Sequence, residues 1–280
     1  MESESQGAYF SFATMMKKLE GKPDVPSSAV RAFVLCGGPG TRLRPVLADR
    51  PKSMALIAGT PFLQLLLDRL RSQGIGDVIL GTGYMAEKIE SYFGGGNKLA
   101  MHIRYSREHE PLGTGGALKL AEPLISDPVL VLNGDSYVEW SLVPMLELFT
   151  AKDADMVIVV EAVADATRYG SVALDQDGRV TQFLEKGIRA GPGLINAGVY
   201  LVGKQIVRDL PAGTAISLER DVFPRLLNRG VYGLACTGLF IDIGIPDDFK
   251  RAQALLASRV GTTSRDPSAS ASSGVLGNSI

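Results

Sequence analysis

A glycine-rich turn followed by two basic residues is the first feature of this sequence that could do chemistry. The segment Leu35 to Lys52 reads LCGGPGTRLRPVLADRPK. Its glycines would let backbone N–H groups approach a phosphate with no side chain in the way. Arg42 and Lys52 could then neutralise the remaining charge of a polyphosphate. Because RAFVLC before the turn reads as a buried strand, we expect the turn at the carboxyl end of a sheet, where ligands bind in open α/β proteins.

Two well-known phosphate loops do not fit this turn. A Walker A loop needs Gly-Lys-Ser/Thr after its last glycine, whereas Gly40 is followed by Thr41 and Arg42. A dinucleotide-binding fingerprint that starts at Gly38 would need glycine or alanine at position 43, which is Leu43. An ordinary surface turn is the remaining alternative, and the basic residues that follow argue against it.

Two aspartates lie where strand-like apolar runs end. Asp135 follows VLVLNG, and Asp242 lies in GLFIDIGIPDDF. A carboxylate at a strand end can hold Mg²⁺ beside phosphates, and an acid in apolar surroundings needs a partner or a metal. We therefore predict that the two acids share one Mg²⁺ ion. The alternative for Asp135 alone is a solvated residue in a turn. The alternative for the pair is that one acid is a metal ligand and the other is structural.

The segment EHEPLGTGGAL, residues 108–118, is predicted to read a nucleobase. Gly113, Gly115 and Gly116 would let the chain approach a flat base, and the helix expected to begin at Thr114 would offer its amino terminus. Glu110 should discriminate between bases, because a carboxylate complements the N1–H and N2–H₂ donors of guanine but repels the carbonyls of uracil and thymine. This favours GTP. A solvated glutamate in a loop is the alternative.

Composition restricts the function classes. The 280 residues, 45% of them hydrophobic, suit one large α/β domain or two small ones. A net charge of -1 creates no field that would favour nucleic acid or an anionic membrane. No apolar run approaches a membrane span, and charges in the first 30 residues argue against a signal peptide. With Cys36 and Cys236 as free buried thiols, we expect a cytoplasmic protein that binds neither nucleic acid nor membrane.

Alternating strand-like and helix-like runs predict the fold. Residues 1–30 read as an extension, residues 31–258 as one domain, and residues 259–280 as a flexible tail rich in Ser and Thr. The alternation in the first half implies βαβ crossovers and a mostly parallel, doubly wound sheet. In the second half, SVALDQDGRVTQFLEK predicts a hairpin. Further elements are expected at Asn196–Val202, Leu234–Phe240, Leu218–Asn228 and Pro246–Ser258.

The glycine-rich segment resembles the amino-terminal pattern of the sugar nucleotidyltransferases, Leu-x-Gly-Gly-x-Gly-Thr-Arg-Leu-x-Pro followed by Pro-Lys. The matching positions are Leu35, Gly37, Gly38, Gly40, Thr41, Arg42, Leu43, Pro45, Pro51 and Lys52. The resemblance covers residues 31–258 and implies a Rossmann-like, doubly wound mixed sheet with a sugar-binding lobe. No hexapeptide repeat follows, so the β-helix domain of some relatives is not expected.

This resemblance also implies roles for individual residues. Arg42 would hold the departing pyrophosphate, Lys52 the nucleotide phosphates and Lys186 the phosphate of the acceptor. The nucleotide would be bound by Leu35, Gly37, Gly38, Gly40, Thr41, Glu110, Gly113, Thr114 and Gly115. The sugar would be bound by Asp135, Tyr169, Gly170, Glu185, Asn196 and Glu219, and the metal by Asp135 and Asp242. For the Ser217–Glu219 segment, a simple helix cap is an additional interpretation that can hold at the same time.

The implied reaction is transfer of GMP from GTP to a sugar 1-phosphate, in line and with no covalent enzyme intermediate. EPLGTGGAL, RYGSV, INAGVY and FIDIGIPDDFKRAQ are most similar to the D-glycero-α-D-manno-heptose 1-phosphate guanylyltransferases, which make GDP-heptose for surface glycans. Mannose-1-phosphate guanylyltransferase is the alternative, and a non-catalytic regulatory paralogue is a further one. Leu56 and Gly187 depart from the family, which usually has proline at both positions. Assembly into a homo-oligomer is compatible with this resemblance.

Overall fold

A computed structural model describes residues 25–43, 46–47, 49–184, 186–188, 190–236 and 238–260. Most of the expected extension and all of the tail beyond residue 260 lie outside the described residues, as do Pro45 and Glu185. The domain boundaries expected from the sequence therefore stay predictions. In the described ranges, no helix is both long and apolar enough to cross a membrane.

Within those ranges the chain forms strands and α-helices in alternation through its first half. The strands are β1 Arg31–Leu35, β2 Leu56–Ile57, β3 Thr60–Pro61, β4 Asp77–Thr82, β5 His102–Arg107, β6 Val129–Asn133, β7 Ser136–Val138, β8 Met156–Val163, β9 Ser171–Leu174, β10 Val180–Leu184, β11 Gly193–Val202, β12 Val231–Ala235 and β13 Phe240–Asp242. The α-helices are α1 Phe62–Ser72, α2 Ala86–Phe93, α3 Gly113–Leu120, α4 Leu142–Ala151, α5 Lys204–Arg208 and α6 Pro246–Leu256.

Nine of these strands form one mixed sheet. β5, β4, β1 and β6 lie side by side and are parallel, as βαβ crossovers require. β11 then runs antiparallel to β6, β8 and β9, while β12 is parallel to β8 and β10 pairs with β9 in the predicted hairpin. The mixed, doubly wound sheet is confirmed, and its run of four adjacent parallel strands comes from the first half of the chain.

Strand β1 shows why both faces of the sheet are covered. Ala32 and Val34 pack into the hydrophobic core on one face, together with residues of α1, α2, α4 and α6. Phe33 points to the other face, where α3 and α5 pack. All three are fully buried, and burial of each large apolar side chain contributes about 1.5–3 kcal/mol. A continuous apolar run is the expected pattern for a strand buried on both faces.

Strand β11 contains an irregularity that opens the sheet next to β6. β6 pairs with residues 199–202 of this strand and β9 pairs with residues 194–195, so the stretch between them is unpaired on that edge. The pairing of β11 with β8 also shifts between Asn196 and Tyr200. Gly198 allows this, because its φ is +79° and a Cβ there would lie 2.8 Å from Asn133 Nδ2.

The second half departs from the sequence prediction at two places. The strand expected at Leu234–Phe240 is two strands, β12 and β13, and they belong to different sheets. The helix expected at Leu218–Asn228 is a π-helical turn, Leu218–Val222, followed by a 3₁₀ turn, Phe223–Leu226. Pro224 explains the change, because it has no N–H to donate within a regular helix. Cys36 and Cys236 are buried free thiols, as predicted.

Candidate active site

Three predicted residues meet at the carboxyl end of the parallel strands. Lys52, in a short 3₁₀ turn, places its Nζ 2.7 Å from Asp135 Oδ2 and 3.8 Å from Asp242 Oδ1. Its side chain is only 11% exposed, against 38% for Asp135 and 21% for Asp242. One enclosed ammonium therefore faces two carboxylates that lie about 100 residues apart in sequence.

A small two-stranded sheet holds the two aspartates together. β7 follows Asp135 directly, and its first residue, Ser136, lies opposite Asp242 in β13. The Ile243 N–H also donates to the Asp135 carbonyl at 2.9 Å. Gly244 completes the arrangement, because its N–H donates to the Asp242 carboxylate and a Cβ there would lie 2.6 Å from Asp242 Oδ1. Strand pairing thus fixes the spacing of the carboxylates.

The two carboxylates are electrostatically unequal. Desolvation alone would raise the pKa of Asp135, but the attraction and hydrogen bond of Lys52 outweigh it, and the pKa lies below its ordinary value. Desolvation, followed by repulsion from Asp135, raises the pKa of Asp242 in spite of Lys52. Lys52 therefore favours ionised Asp135 strongly, whereas the ionised form of Asp242 stays disfavoured although Lys52, the Gly244 N–H and Lys186 all favour it.

A cavity of about 270 Å³ lies on the side of the glycine-rich turn. The predicted nucleotide and phosphate residues in its wall are Leu35, Gly38, Gly40, Thr41, Arg42 and Lys52. Asp135 also lines this cavity, although the sequence placed it among the sugar contacts as well as the metal ligands. Gly40 has a φ of +55°, and a Cβ there would lie 2.9 Å from Lys52 Cβ. Glycine at this position therefore lets the turn and the lysine pack together.

A second cavity of about 430 Å³ adjoins the first at the aspartate pair. The predicted acceptor residues in its wall are Tyr169, Gly170, Lys186, Asn196 and Glu219, joined by Asp242. Phe240 forms an apolar part of the wall and holds Tyr169 edge-to-face, with ring centroids 5.6 Å apart. Phe240 was not among the acceptor residues predicted from the sequence, because its place in the cavity wall depends on the pairing of β13 with β7.

Hydrogen bonds fix the polar wall of this second cavity. Asn196 Nδ2 donates to the Tyr200 hydroxyl at 2.8 Å, and that hydroxyl is 3.4 Å from Glu219 Oε1. Burial raises the pKa of Tyr200 well above its ordinary value, so the phenol stays neutral. Ser217 accepts from the Arg220 N–H at 3.2 Å, which confirms the predicted cap, and its hydroxyl also donates to Glu219 Oε2 at 3.0 Å.

The predicted base-reading segment contains a carboxylate that the sequence analysis overlooked. Glu108 Oε2 accepts from the Leu112 N–H at 2.8 Å, and a Cβ on Gly37 would lie 2.7 Å from Glu108 Oε1. Burial raises the pKa of Glu108 in spite of that hydrogen bond. Glu110 is exposed, and its role in base reading stays a prediction. Glu108 could have been found as the first residue beyond β5, at the same sheet edge as the glycine-rich turn.

Comparison with known protein families now decides the class of this site. A family model described as Nucleotidyl transferase matches residues 31–259. The chain belongs to the nucleotidyl transferase family. It is a nucleotidyltransferase, and its matched region includes both cavities. Enzymes of this family generally use a divalent metal ion.

Several relatives of this nucleotidyltransferase are named for a heptose or a mannose acceptor. It is 41% identical over 227 residues to a D-glycero-alpha-D-manno-heptose 1-phosphate guanylyltransferase of Aneurinibacillus thermoaerophilus, covering 80% of this chain and 97% of the relative. It is 40% identical over 229 residues to a mannose-1-phosphate guanylyltransferase of Mycobacterium tuberculosis, covering 80% of this chain and 64% of that enzyme's length. A crystal structure of HddC from Yersinia pseudotuberculosis complexed with GMP-PN matches with a TM-score of 0.72 and 38% identity, covering 80% and 98% of the chains.

The donor set of this nucleotidyltransferase is compatible with a hard divalent cation. Among the described residues, no group of three or more His, Cys, Asp or Glu side chains is placed to hold a metal ion. Asp135 and Asp242 nevertheless offer two oxygen donors with a net charge that Lys52 alone does not balance. Mg²⁺ commonly uses one or two carboxylates and completes its shell with water and substrate phosphate oxygens. The two aspartates fit that requirement.

Proposed function

We propose that this protein transfers GMP from GTP to D-glycero-α-D-manno-heptose 1-phosphate, giving GDP-heptose and pyrophosphate. The observation that carries the proposal is the meeting of two cavities at the Lys52, Asp135 and Asp242 cluster. One cavity has the glycine turn and basic residues that suit a triphosphate, and the other has the hydroxyl, amide and carboxylate groups that suit a sugar. The names of the heptose-specific relatives support the choice of acceptor.

The chemistry would depend on positioning and charge neutralisation. Lys52 and Arg42 line the nucleotide cavity, where they would bind the triphosphate and hold the departing pyrophosphate. Lys186 lines the acceptor cavity and would orient the incoming phosphate for in-line attack on the α-phosphorus. Asp135 and Asp242 would hold Mg²⁺, which supplies charge neutralisation to phosphate oxygens when it is bound. No side-chain nucleophile is needed, because the sugar phosphate is itself the nucleophile.

Guanine selection would involve the carboxylates at the start of the base-reading segment. Glu108 lies against Gly37, and among the described residues Leu112 is the one N–H donor to its carboxylate, so the carboxylate retains acceptor capacity. Glu110 is two residues away and exposed. We propose that Glu108 contributes to guanine recognition together with, or in place of, Glu110. If Glu108 or Glu110 binds guanine, its replacement by glutamine removes a charged acceptor. That variant should have a kcat/KM for GTP that is lower by about tenfold or more.

The experiment is a pyrophosphate-release assay with four nucleoside triphosphates against heptose, mannose and glucose 1-phosphates. We expect GTP with heptose 1-phosphate to give the highest kcat/KM. E108Q and E110Q are measured in the same assay, and each variant that lowers kcat/KM for GTP identifies a carboxylate that contributes to guanine recognition. Predominant use of UTP or dTTP would overturn the guanylyl assignment, and preference for mannose 1-phosphate would establish the alternative acceptor. GTP binding without transfer to any sugar phosphate would favour a regulatory protein.

A further inference from the structure

The amino-terminal end of α3, predicted to face a nucleobase, is bonded to a distant part of the chain. Ile216, in the segment of residues 214–218 that we call the docking segment, uses its carbonyl to accept from the Gly115 N–H at 2.8 Å and the Gly116 N–H at 3.4 Å. The Ile216 N–H in turn donates to the Leu112 carbonyl at 2.9 Å. Protein groups therefore satisfy two of the free N–H donors at this helix end.

The glycines of the LGTGG sequence make this contact sterically feasible. A Cβ on Gly113 would lie 2.6 Å from the Ile216 carbonyl oxygen, and a Cβ on Gly115 would lie 2.9 Å from Ile216 Cγ2. A Cβ on Gly116 would lie 2.5 Å from the carbonyl oxygen of Thr214. These glycines are thus explained by the close approach of the docking segment, whatever they also do for a nucleotide.

Thr114 extends the contact into the acceptor cavity. Its hydroxyl donates to Glu219 Oε2 at 2.8 Å and accepts from the Leu218 N–H at 2.8 Å. Glu219 is a wall residue of the acceptor cavity, and Ser217 and Tyr200 contact its two carboxylate oxygens as well. The hydroxyl of Thr114 therefore donates to the Glu219 carboxylate in the acceptor cavity and accepts from the docking segment.

We propose that Thr114 is a positioning residue for the acceptor sugar, which acts by fixing the rotamer of Glu219, and not a ligand of the nucleotide. This inference rests on the proposed function. Loss of the hydroxyl would leave the Leu218 N–H without its acceptor and would remove one of the donors that orient Glu219. The sugar would then meet a carboxylate with more rotational freedom, which weakens its binding and leaves the phosphate-binding groups of the nucleotide unchanged.

The test compares T114V with T114S by steady-state kinetics in which each substrate is varied separately. We expect T114V to raise KM for the sugar 1-phosphate about tenfold, to change KM for GTP less than twofold, and to leave kcat within about threefold. T114S retains the hydroxyl and should restore the acceptor KM to within about twofold of the wild type. T114A is measured beside T114V, because its smaller side chain cannot cause a clash.

A double variant tests whether Thr114 acts through Glu219. In an E219Q background, the valine substitution should change the acceptor KM much less than it does in the wild type, since the carboxylate it orients is gone. A rise in KM for GTP without a rise for the acceptor would overturn the proposal, as would equal rises in both. Absence of any transfer by the wild-type protein would instead contradict the proposed function. In that case, faster hydrogen exchange of the Leu218 amide in T114V would still show that the Thr114 hydroxyl bonds this amide.

Discussion

The two ends of the central sheet carry opposite ratios of acidic to basic side chains. At the amino end, one acid, Asp77 at the start of β4, is surrounded by Arg31 Nε at 2.9 Å, Arg104 Nη2 at 2.8 Å and His102 Nδ1 at 3.3 Å. At the carboxyl end, one cation, Lys52, faces two acids. The amino end has an excess of basic groups around one acceptor, and the carboxyl end has an excess of carboxylates around one donor.

This difference separates a structural cluster from a candidate catalytic one. At the amino end, Arg31 has a second acceptor besides Asp77, because its Nη1 donates to the Leu124 carbonyl at 2.7 Å. At the carboxyl end, desolvation and the neighbouring Asp135 raise the pKa of Asp242 although Lys52 and Lys186 lower it, so its ionised form is destabilised until a further cation binds. Unbalanced charge next to two cavities is the mark of a site built for a ligand.

The largest expected effect comes from removal of either carboxylate at the carboxyl end. D135N and D242N should each lower kcat about 100-fold or more, equivalent to about 3 kcal/mol of transition-state stabilisation. D242N should not lower the free energy of unfolding, because it relieves repulsion between two acids that share one ammonium. Steady-state kinetics at several Mg²⁺ concentrations and urea unfolding measure the two quantities.

The matched control for these variants is D177N, in the exposed turn between β9 and β10. It removes the same charge from an exposed side chain that lines neither cavity, and it should change turnover less than twofold. Near-normal turnover of D242N would show that the carboxylate pair does not serve the reaction, and the contrast between the two ends would lose its functional meaning.

A smaller effect, on stability as well as activity, is expected from K52M. Removal of the ammonium leaves two partly enclosed carboxylates facing each other, which should cost about 2 kcal/mol of unfolding free energy. The double variant K52M/D242N should recover most of that stability and none of the activity. Urea unfolding of the wild type, both single variants and the double variant gives the coupling energy. Additive changes would mean that Lys52 and Asp242 do not interact.

The parts of the site that lie within one local pattern could be predicted from the sequence. The β1 strand and the glycine turn form one continuous segment, and Asp135 directly follows the apolar strand β6. Asp242 was recognisable as an acid at the end of an apolar run. In each case the burial of neighbouring residues and the polarity of one residue are visible within a few positions, which is the range over which sequence periodicity is informative.

Contacts between distant segments were not predictable in the same way. The pairing of β7 with β13 depends on register between strands about 100 residues apart, and it splits the strand expected at Leu234–Phe240. The contact of Ile216 with Gly115 is equally remote in sequence. Short segments such as β7 have little intrinsic preference, so tertiary packing decides their structure. The cluster around Asp77 was missed for the same reason, because its members come from three separate strands.

The smallest expected effect tests the amino end. D77N should lower the free energy of unfolding by about 1 kcal/mol at pH 7, since Arg31, Arg104 and His102 lose a common acceptor, and it should change turnover less than twofold.

Burial opposes ionisation of Asp77, but Arg104, Arg31 and His102 outweigh it and hold its pKa below the ordinary value. Its stabilisation is therefore complete above the unfolded-state pKa of about 3.9 and is lost as the pH falls through the lower folded-state pKa. Urea unfolding of wild type and D77N should give a constant difference from pH 7 to pH 5 that shrinks below about pH 4. If D77N reduced turnover as strongly as D242N, the two ends of the sheet would not be functionally separate.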